Sequence, residues 1–469
     1  MRRRTKIVCT IGPSVDSRRS IARLIQAGMN VARLNCGHGD WETRAKWIGW
    51  IRELSPDVAP VGVLVDLQGP KFRIGVVRDN AFSIKPGQKL TLGSAPGCDV
   101  PVHQPEILCE LKPGDRVLLG DGNVELRIRS DFGGEFVASA ITGGIIRSKQ
   151  GITVVGKIFA SAAVTKKDLD DLRQALDLDV DFVALSYVNS ADDLLRIRDE
   201  IDRRGKRTRI CAKIETRAAI RNIESILAAA DMAMVARGDL GLQMSLEDLP
   251  IAQKDIIRRC NHLGKPVVTA TQMLESMMEA PRPTRAEVAD IANAILDGTD
   301  AVMLSGETAA GKYPLECVRR MAGIARKAET LIDHDGILNR QTTREAGKIG
   351  STHAIALAVA RLAQATTPRA ILTTSTSGQT PCLVSKYRPS TSILSASWNE
   401  STHRQMSVVW GVESICIPIP RNTDEIVQNA MEGFVLRKRL RKGDRVIVTS
   451  GVPAGTPGST NLILNEIVR

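Results

Sequence analysis

Eight short apolar runs recur along this chain with helix-like stretches between them, and that alternation constrains the fold more than any other feature. The runs cover 5–11, 29–35, 61–67, 181–187, 209–215, 231–237, 266–272 and 300–305. Helical patterns fill 17–27, 41–54, 167–177, 190–204, 216–229, 247–263 and 284–297. Strands separated by helix-sized connections pair in parallel. Eight such units are the count for a closed (β/α)8 TIM barrel, an α/β fold whose reactive groups lie at the C-terminal ends of the strands. The polar residues ending these runs are Arg33 and Asn35, Asp66, Lys213 and Glu215, Arg237 and Asp239, Thr271, and Ser305 with Glu307. All of them fall at one expected mouth. Side chains two apart on a strand point the same way, so Lys213 and Glu215 share a face. An ammonium beside Glu215 and Asp239 makes a poor core and a good cradle for a divalent cation and a charged substrate.

The third unit is interrupted. Residues 72–156 lack helix–strand alternation and carry turn signals instead, among them Lys-Pro-Gly-Gln (85–88), Lys-Pro-Gly-Asp (112–115) and Gly-Asp-Gly-Asn (120–123). This reads as a small β-barrel inserted after the third strand, placed over the mouth as a lid. From 334 a third region begins, with a helix over 351–365 and strands at 369–374, 392–396, 413–418 and 445–449. It reads as a separate α/β domain with a mostly parallel sheet. The expected plan is a barrel over 1–71 and 157–333, a lid over 72–156 and a C-terminal domain over 334–469, several cores being required by a chain of 469 residues.

Composition narrows the function. Aromatics are 3% of the chain, which makes the cores aliphatic and argues against a base-stacking surface for nucleic acid. No apolar run reaches the length of a membrane span. The basic N-terminus leads into an apolar run that breaks at Pro13, too short for a signal peptide. Nine scattered cysteines with no Cys-x-x-Cys pair point to reduced thiols and a cytoplasmic home. The net charge of +12 suits polyanionic substrates or reflects a compositional bias. The dense basic run 437–442 reads as the end of a solvated helix before the Gly443-Asp444 turn.

Several stretches, in order and correctly spaced, closely resemble pyruvate kinase: Thr-Lys-Ile-Val-Cys-Thr-Ile-Gly-Pro (5–13), Gly-Met-Asn-Val-Ala-Arg-Leu-Asn (28–35), Ala-Lys-Ile-Glu (212–215), Val-Ala-Arg-Gly-Asp-Leu-Gly (235–241), Thr-Ala-Thr-Gln-Met-Leu-Glu-Ser-Met (269–277), Pro-Thr-Arg-Ala-Glu (283–287) and Asp-Gly-Thr-Asp-Ala-Val-Met-Leu-Ser-Gly-Glu-Thr-Ala (297–309). The resemblance implies a barrel, a lid and a regulatory domain, assembly as a homotetramer, and the reaction of phosphoenolpyruvate with ADP to give pyruvate and ATP. By the same resemblance, Glu215 and Asp239 hold Mg (or Mn) and Lys213 stabilises the phosphoryl group and the enolate. Gly238, Asp239 and Thr271 receive the substrate carboxylate, and Arg33 touches the transferring phosphate. Thr271, Ser305 and Glu307 organise the water that protonates the enolate. Arg33, Asn35, His38, Arg73 and Lys167 match positions near the nucleotide.

Departures from the family carry a further expectation. Potassium-dependent members read Asn-Phe-Ser-His-Gly and Asp-Thr-Lys-Gly-Pro-Glu where this chain reads Asn35-Cys36-Gly37-His38-Gly39 and Asp66-Leu67-Gln68-Gly69-Pro70-Lys71. At the monovalent site of Asn35, Asp66 and Leu67, a serine hydroxyl is lost at Gly37 and a carboxylate becomes the cation Lys71. A fixed ammonium replaces bound K⁺ electrostatically and repels it, so K⁺ is not expected to be required. The lid's usual Asp-Asp-Gly is Gly120-Asp121-Gly122, and Ala310 stands where the family has lysine. In the C-terminal region Thr374, Thr376, Ser377, Gly378 and Thr380 follow a strand and precede a helix. They form an effector loop suited to a sugar phosphate or nucleotide, helped by a late loop at 451–461. Two other readings compete. One is another barrel enzyme acting on phosphoenolpyruvate or pyruvate. The other is a non-enzymatic binding protein derived from the family.

Overall fold

The computed structural model describes residues 2–70, 72–120, 122–157, 164–345, 349–451 and 460–469. Eight parallel strands close into a barrel in chain order. They are Lys6–Thr10, Val31–Asn35, Gly62–Asp66, Phe182–Leu185, Arg209–Ile214, Met232–Ala236, Val267–Ala270 and Ala301–Leu304. Each lies inside an apolar run marked in the sequence. The period of two sorts their side chains. Ile7, Cys9, Leu34, Val63 and Val65 pack into the ring of helices. Val8, Val31, Leu64, Phe182, Cys211, Met232 and Ala301 belong to a second cluster that fills the lower barrel interior. The helix expected over 216–229 is two, Arg217–Arg221 and Ile223–Ala229. They break at Asn222, whose side-chain amide donates to the Asn189 carbonyl at 2.8 Å.

The segment between the third strand and the helix Lys166–Asp177 is almost all β. Six strands form one sheet, in the spatial order Ile152–Val154, Arg116–Leu119, Val124–Asp131, Glu135–Thr142, Lys89–Gly93 and Val100–Pro101. Ala81–Ile84 pairs separately with Gly144–Arg147. The pairing among the described residues is thus a curled sheet plus a ribbon, where one continuous closed ladder was expected. Register shifts along Val124–Asp131 supply the curl. Sheet and ribbon still enclose one core, with Ile84 and Ile146 packed in the same cluster as Leu92, Val117 and Phe136.

The C-terminal unit has four parallel strands, Ala370–Thr374, Ser392–Ser397, Val412–Cys416 and Arg445–Gly451. An antiparallel edge strand, Thr460–Ile467, was not marked in the sequence. After Thr460 its residues are all half-buried or exposed, which suits an edge rather than a core. The unit closes the N-terminal end of the barrel. Met406, Val408 and Val409 join the same apolar cluster as Val8, Leu64 and Phe182. Polar groups complete the seal: Lys6 Nζ donates to the Val412 carbonyl at 2.7 Å, Arg404 Nε to Asp181 at 2.6 Å, and Arg388 Nη1 to Asp300 at 3.1 Å. Gly62 marks the closest approach, since a Cβ there would lie 2.4 Å from Ser407 Oγ and 2.9 Å from the Phe182 ring.

His403 is buried in this joint. The Ser414 hydroxyl donates to the His403 carbonyl at 2.8 Å, so His403 Nδ1–H donates to Ser414 Oγ at 2.9 Å. Burial, reinforced by Arg404 and Arg437 against the opposing pull of Asp57, lowers the imidazole pKa to about 4. An unfolded histidine titrates near 6.5. Because the folded value is the lower one, this contribution to stability is complete above about pH 6.5 and is lost as pH falls toward 4. A loss on the order of 2 kcal/mol by pH 4.5 is expected from this residue. Denaturant titrations at pH 7 and 4.5 should show a smaller acid loss in His403→Gln than in the parent, and equal losses would refute the assignment.

Candidate active site

At the upper end of the barrel the inward positions turn from apolar to charged. Asp66, 1% exposed, sits at the centre. Its Oδ2 accepts Arg33 Nε at 2.7 Å and its Oδ1 accepts Lys213 Nζ at 3.2 Å. Arg33 also donates to Thr10 Oγ1 at 2.9 Å. Lys213 donates to Ser186 Oγ at 2.7 Å and lies 2.9 Å from Glu215 Oε1. Burial alone would depress the Lys213 ammonium, but Asp66 and Glu215 outweigh it and hold the pKa above the ordinary range. Burial likewise pushes the Asp66 carboxyl up, and Lys213 with Arg33 reverses that. Lys213 and Asp66 are therefore both charged at neutral pH, and removing either would strand its partner in a desolvated site.

Glu215 Oε2 accepts the Tyr187 backbone N–H at 2.8 Å. Its Oε1 is buried and accepts no hydrogen bond, because the nearby ammonium makes an ionic contact without hydrogen-bonding geometry. Burial raises the Glu215 pKa; Lys213 opposes the rise and Asp239 adds to it. Asp239 shares the cleft, with Oδ1 accepting the Tyr187 hydroxyl at 3.2 Å. A buried carboxylate oxygen lacking a donor, next to a second carboxylate, is a donor set that fits a hard divalent cation. Among the described residues no three or more His, Cys, Asp or Glu are placed to hold one metal ion together, so an ion here would rest on these two carboxylates.

The cleft holds about 130 Å³. It brings together Arg33, Asn35, His38, Asp66, Leu67, Arg73, Lys213, Glu215 and Asp239 of the residues singled out in the sequence. Gln68, Ser186 and Tyr187 line it as well and were not foreseen. Ser186 had a readable signal, as the next inward position after Phe182 and Ala184 in the fourth run. Tyr187 had none, since its side chain reaches Asp239 only through a positive φ of 55°.

Some expected residues lie outside the cleft lining, and some polar groups within it are already engaged. Lys167 Nζ is tied to Asp171 at 2.6 Å and to the Cys36 carbonyl at 3.0 Å, behind the Asn35–His38 turn. The Asn35 side-chain oxygen is engaged by the Gly37 N–H at 2.9 Å, and the Leu67 carbonyl by the Ser186 hydroxyl at 2.8 Å. Glu307 is 3% exposed and accepts from the backbone N–H groups of Leu274 and Ser305 at 3.0 and 2.7 Å. Ser305 Oγ is buried without a partner. In the C-terminal loop, Thr374 donates to Ser450 at 2.7 Å and Thr380 pairs with Thr460 at 2.6 Å. The Thr376 carbonyl accepts the Thr402 hydroxyl at 2.7 Å and the Ser377 carbonyl accepts Arg209. Gly378 is left-handed, with φ 78°. Lys71, Asp121 and the late-loop residues 452–459 lie outside the described residues.

Thr271, expected to help receive a substrate carboxylate, is held in strained backbone. Gly238 N–H donates to Thr271 Oγ1 at 2.8 Å, and that hydroxyl donates to the Ala270 carbonyl at 2.6 Å. Thr271 and Gln272 have φ of 68° and 54°, a conformation costly for a β-branched residue. Arg237, 7% exposed, is the clamp: Nη2 donates to the Thr271 and Gln272 carbonyls at 2.7 and 3.2 Å, while Nη1 grips Asp290 at 2.6 and 2.8 Å. Arg237→Ala is expected to cost about 2 kcal/mol of stability and about tenfold or more in phosphoryl-transfer turnover. Denaturant melts and initial rates check both, and unaltered turnover would show that the loop keeps its shape without the clamp.

The chain matches the family model "Pyruvate kinase, barrel domain" over residues 2–318 and "Pyruvate kinase, alpha/beta domain" over 353–464. It is 42% identical to pyruvate kinase of Geobacillus stearothermophilus over 476 aligned residues, spanning 100% of this chain and 81% of that one. Identity to the Staphylococcus saprophyticus enzyme is 40%, over 99% of this chain and 80% of the relative. The fold superposes on the crystal structure of a pyruvate kinase from Cryptosporidium parvum with a TM-score of 0.92 at 32% identity, covering 100% of this chain and 96% of that one. With both domains matched in sequence and the whole architecture matched in space, the chain belongs to the pyruvate kinase family.

Proposed function

We propose that the cleft transfers the phosphoryl group of phosphoenolpyruvate to ADP with a divalent ion and without a monovalent one. The observation that carries this reading is Lys213, held charged in ion pairs with Asp66 and with Glu215 Oε1, an oxygen that accepts no hydrogen bond. The bond from phosphorus to the enol oxygen breaks, a bond to a terminal ADP oxygen forms, and the enolate left behind takes a proton at carbon. Glu215 and Asp239 would hold Mg²⁺ (or Mn²⁺), which when bound supplies Lewis-acid neutralisation of phosphoryl and carboxylate oxygens. Lys213 neutralises charge on the moving phosphoryl and on the enolate. Arg33, braced by Asp66 and Thr10, orients the phosphoryl from the nucleotide side. Asn35, His38 and Arg73 border that side, and Lys167 supports it by holding the Cys36 carbonyl.

Gly238, Asp239 and Thr271 receive the substrate carboxylate. To do so, the Thr271 hydroxyl exchanges its bond to Ala270 for the substrate. On the protonation face, Ser305 Oγ is the free hydroxyl for a relay water, and Glu307 fixes the Ser305 backbone beneath it. The loop Thr374–Thr380 would take a sugar-phosphate or nucleotide effector. Homotetrameric assembly and a cytoplasmic place in glycolysis follow from the same family reading. Among the described residues no helix is long and apolar enough to cross a membrane.

Pyruvate formation from phosphoenolpyruvate and ADP with Mg²⁺ tests the reading. Lys213→Met should lower turnover by about a thousandfold or more while leaving the fold intact by circular dichroism. The monovalent site is tested by KCl. With Lys71 replacing the family's carboxylate, addition of K⁺ to an assay free of Na⁺ and K⁺ should leave turnover within about twofold. A large activation by KCl would mean that Lys71 does not replace the ion.

A further inference from the structure

Tyr187 takes part in no step of the reaction above, yet it touches both carboxylates of the cleft. It follows the strand Phe182–Leu185, while Glu215 and Asp239 follow the next two strands around the barrel, Arg209–Ile214 and Met232–Ala236. With φ at 55°, its main chain and its side chain serve different neighbours. The backbone N–H donates to Glu215 Oε2 at 2.8 Å, and the phenol donates to Asp239 Oδ1 at 3.2 Å. A phenol is protonated at neutral pH and a carboxylate is not, so the direction of that bond is fixed. The ring is braced from behind by the segment after the third strand. A Cβ on Gly69 would lie 3.3 Å from Tyr187 Cδ2 and 2.9 Å from Ser186 Cβ.

Each carboxylate therefore has one oxygen engaged by Tyr187 and one left over. The remaining oxygen of Glu215, Oε1, is ion-paired with Lys213 at 2.9 Å and accepts no hydrogen bond. The remaining oxygen of Asp239 is Oδ2. This division bears on which cation the pair can take. Mg²⁺ is small and keeps an octahedral shell to which a carboxylate gives a single oxygen, the rest coming from water and substrate. Ca²⁺ is larger, takes about six to eight oxygens, and is often gripped by both oxygens of one carboxylate. We propose that Tyr187 sets the ion preference of the cleft, favouring Mg²⁺ over Ca²⁺ by keeping one oxygen of each carboxylate occupied. This rests on the reading of Glu215 and Asp239 as the metal-holding pair. Tyr187 is then a positioning residue that acts through them.

Mn²⁺ bound to the full chain, followed by electron paramagnetic resonance and displaced by Mg²⁺ or by Ca²⁺ in separate titrations, tests this without turnover. Tyr187→Phe keeps the ring against Gly69 and the N–H on Glu215, and removes only the hydroxyl. The ratio of the two displacement constants should move toward Ca²⁺ by about tenfold in that variant. A ratio within about twofold of the parent overturns the proposal, and so does equal weakening of both ions, which would mark a merely structural role. Asp239→Asn separates this idea from the reading beneath it. If that variant holds Mn²⁺ as tightly as the parent, the carboxylate pair is not the metal site and both readings fall. If it loses Mn²⁺ while Tyr187→Phe leaves the ratio unmoved, only the role of Tyr187 falls.

Discussion

Everything at the barrel mouth leans on the carboxylate of Asp66. It is nearly inaccessible to water, yet it carries a guanidinium on one oxygen and an ammonium on the other. Those two cations do opposite spatial jobs. Arg33 reaches toward Thr10 and Lys213 toward the paired carboxylates Glu215 and Asp239. One buried anion therefore fixes the separation between two positive charges before any substrate arrives. Such preorganisation matters in phosphoryl transfer, where the protein positions and neutralises rather than forming covalent intermediates. The cost is a desolvated cluster in which removing one member leaves its partners with uncompensated charge, because each member is another member's solvation.

The clearest lesson about reading the sequence lies in the contrast between Lys213 and Thr271. Lys213 and Glu215 were legible because strand periodicity alone puts them on one face, and the strand Arg209–Ile214 keeps that periodicity. The same rule would have found Ser186. Thr271 sits just past its strand in a left-handed turn that no local preference predicts, held by Arg237 and Asp290 from other parts of the chain. Tyr187 was illegible for the same reason. Lys167 shows the converse: the motif match gave its neighbourhood, while its i,i+4 partner Asp171 decided where the ammonium rests. The edge strand Thr460–Ile467 escaped because its pattern is that of a half-wet ribbon, not of a core strand. Contacts across the base of the barrel join residues such as Lys6 and Val412, and no local pattern encodes separations of that size.

The insertion and the C-terminal unit meet the barrel in different ways. The insertion comes close to it at Gly122, where a Cβ would lie 3.1 Å from Leu242. Its own core is closed and self-sufficient. The C-terminal unit has the reverse design, sharing one apolar cluster with the barrel interior.

That shared cluster means that the barrel has no floor of its own. The lower layer of side chains that other barrels complete internally is here finished by Met406, Val408 and Val409 from a different domain. Gly62 is small because a neighbour's Ser407 stands where a methyl group would be, and Lys6, Asp181 and Asp300 are buried because foreign partners satisfy them. The two units are therefore one inheritance. A lineage that exchanged or discarded the C-terminal domain would have to rewrite the starts of several barrel strands at the same time, so the two units descend together as a single heritable piece.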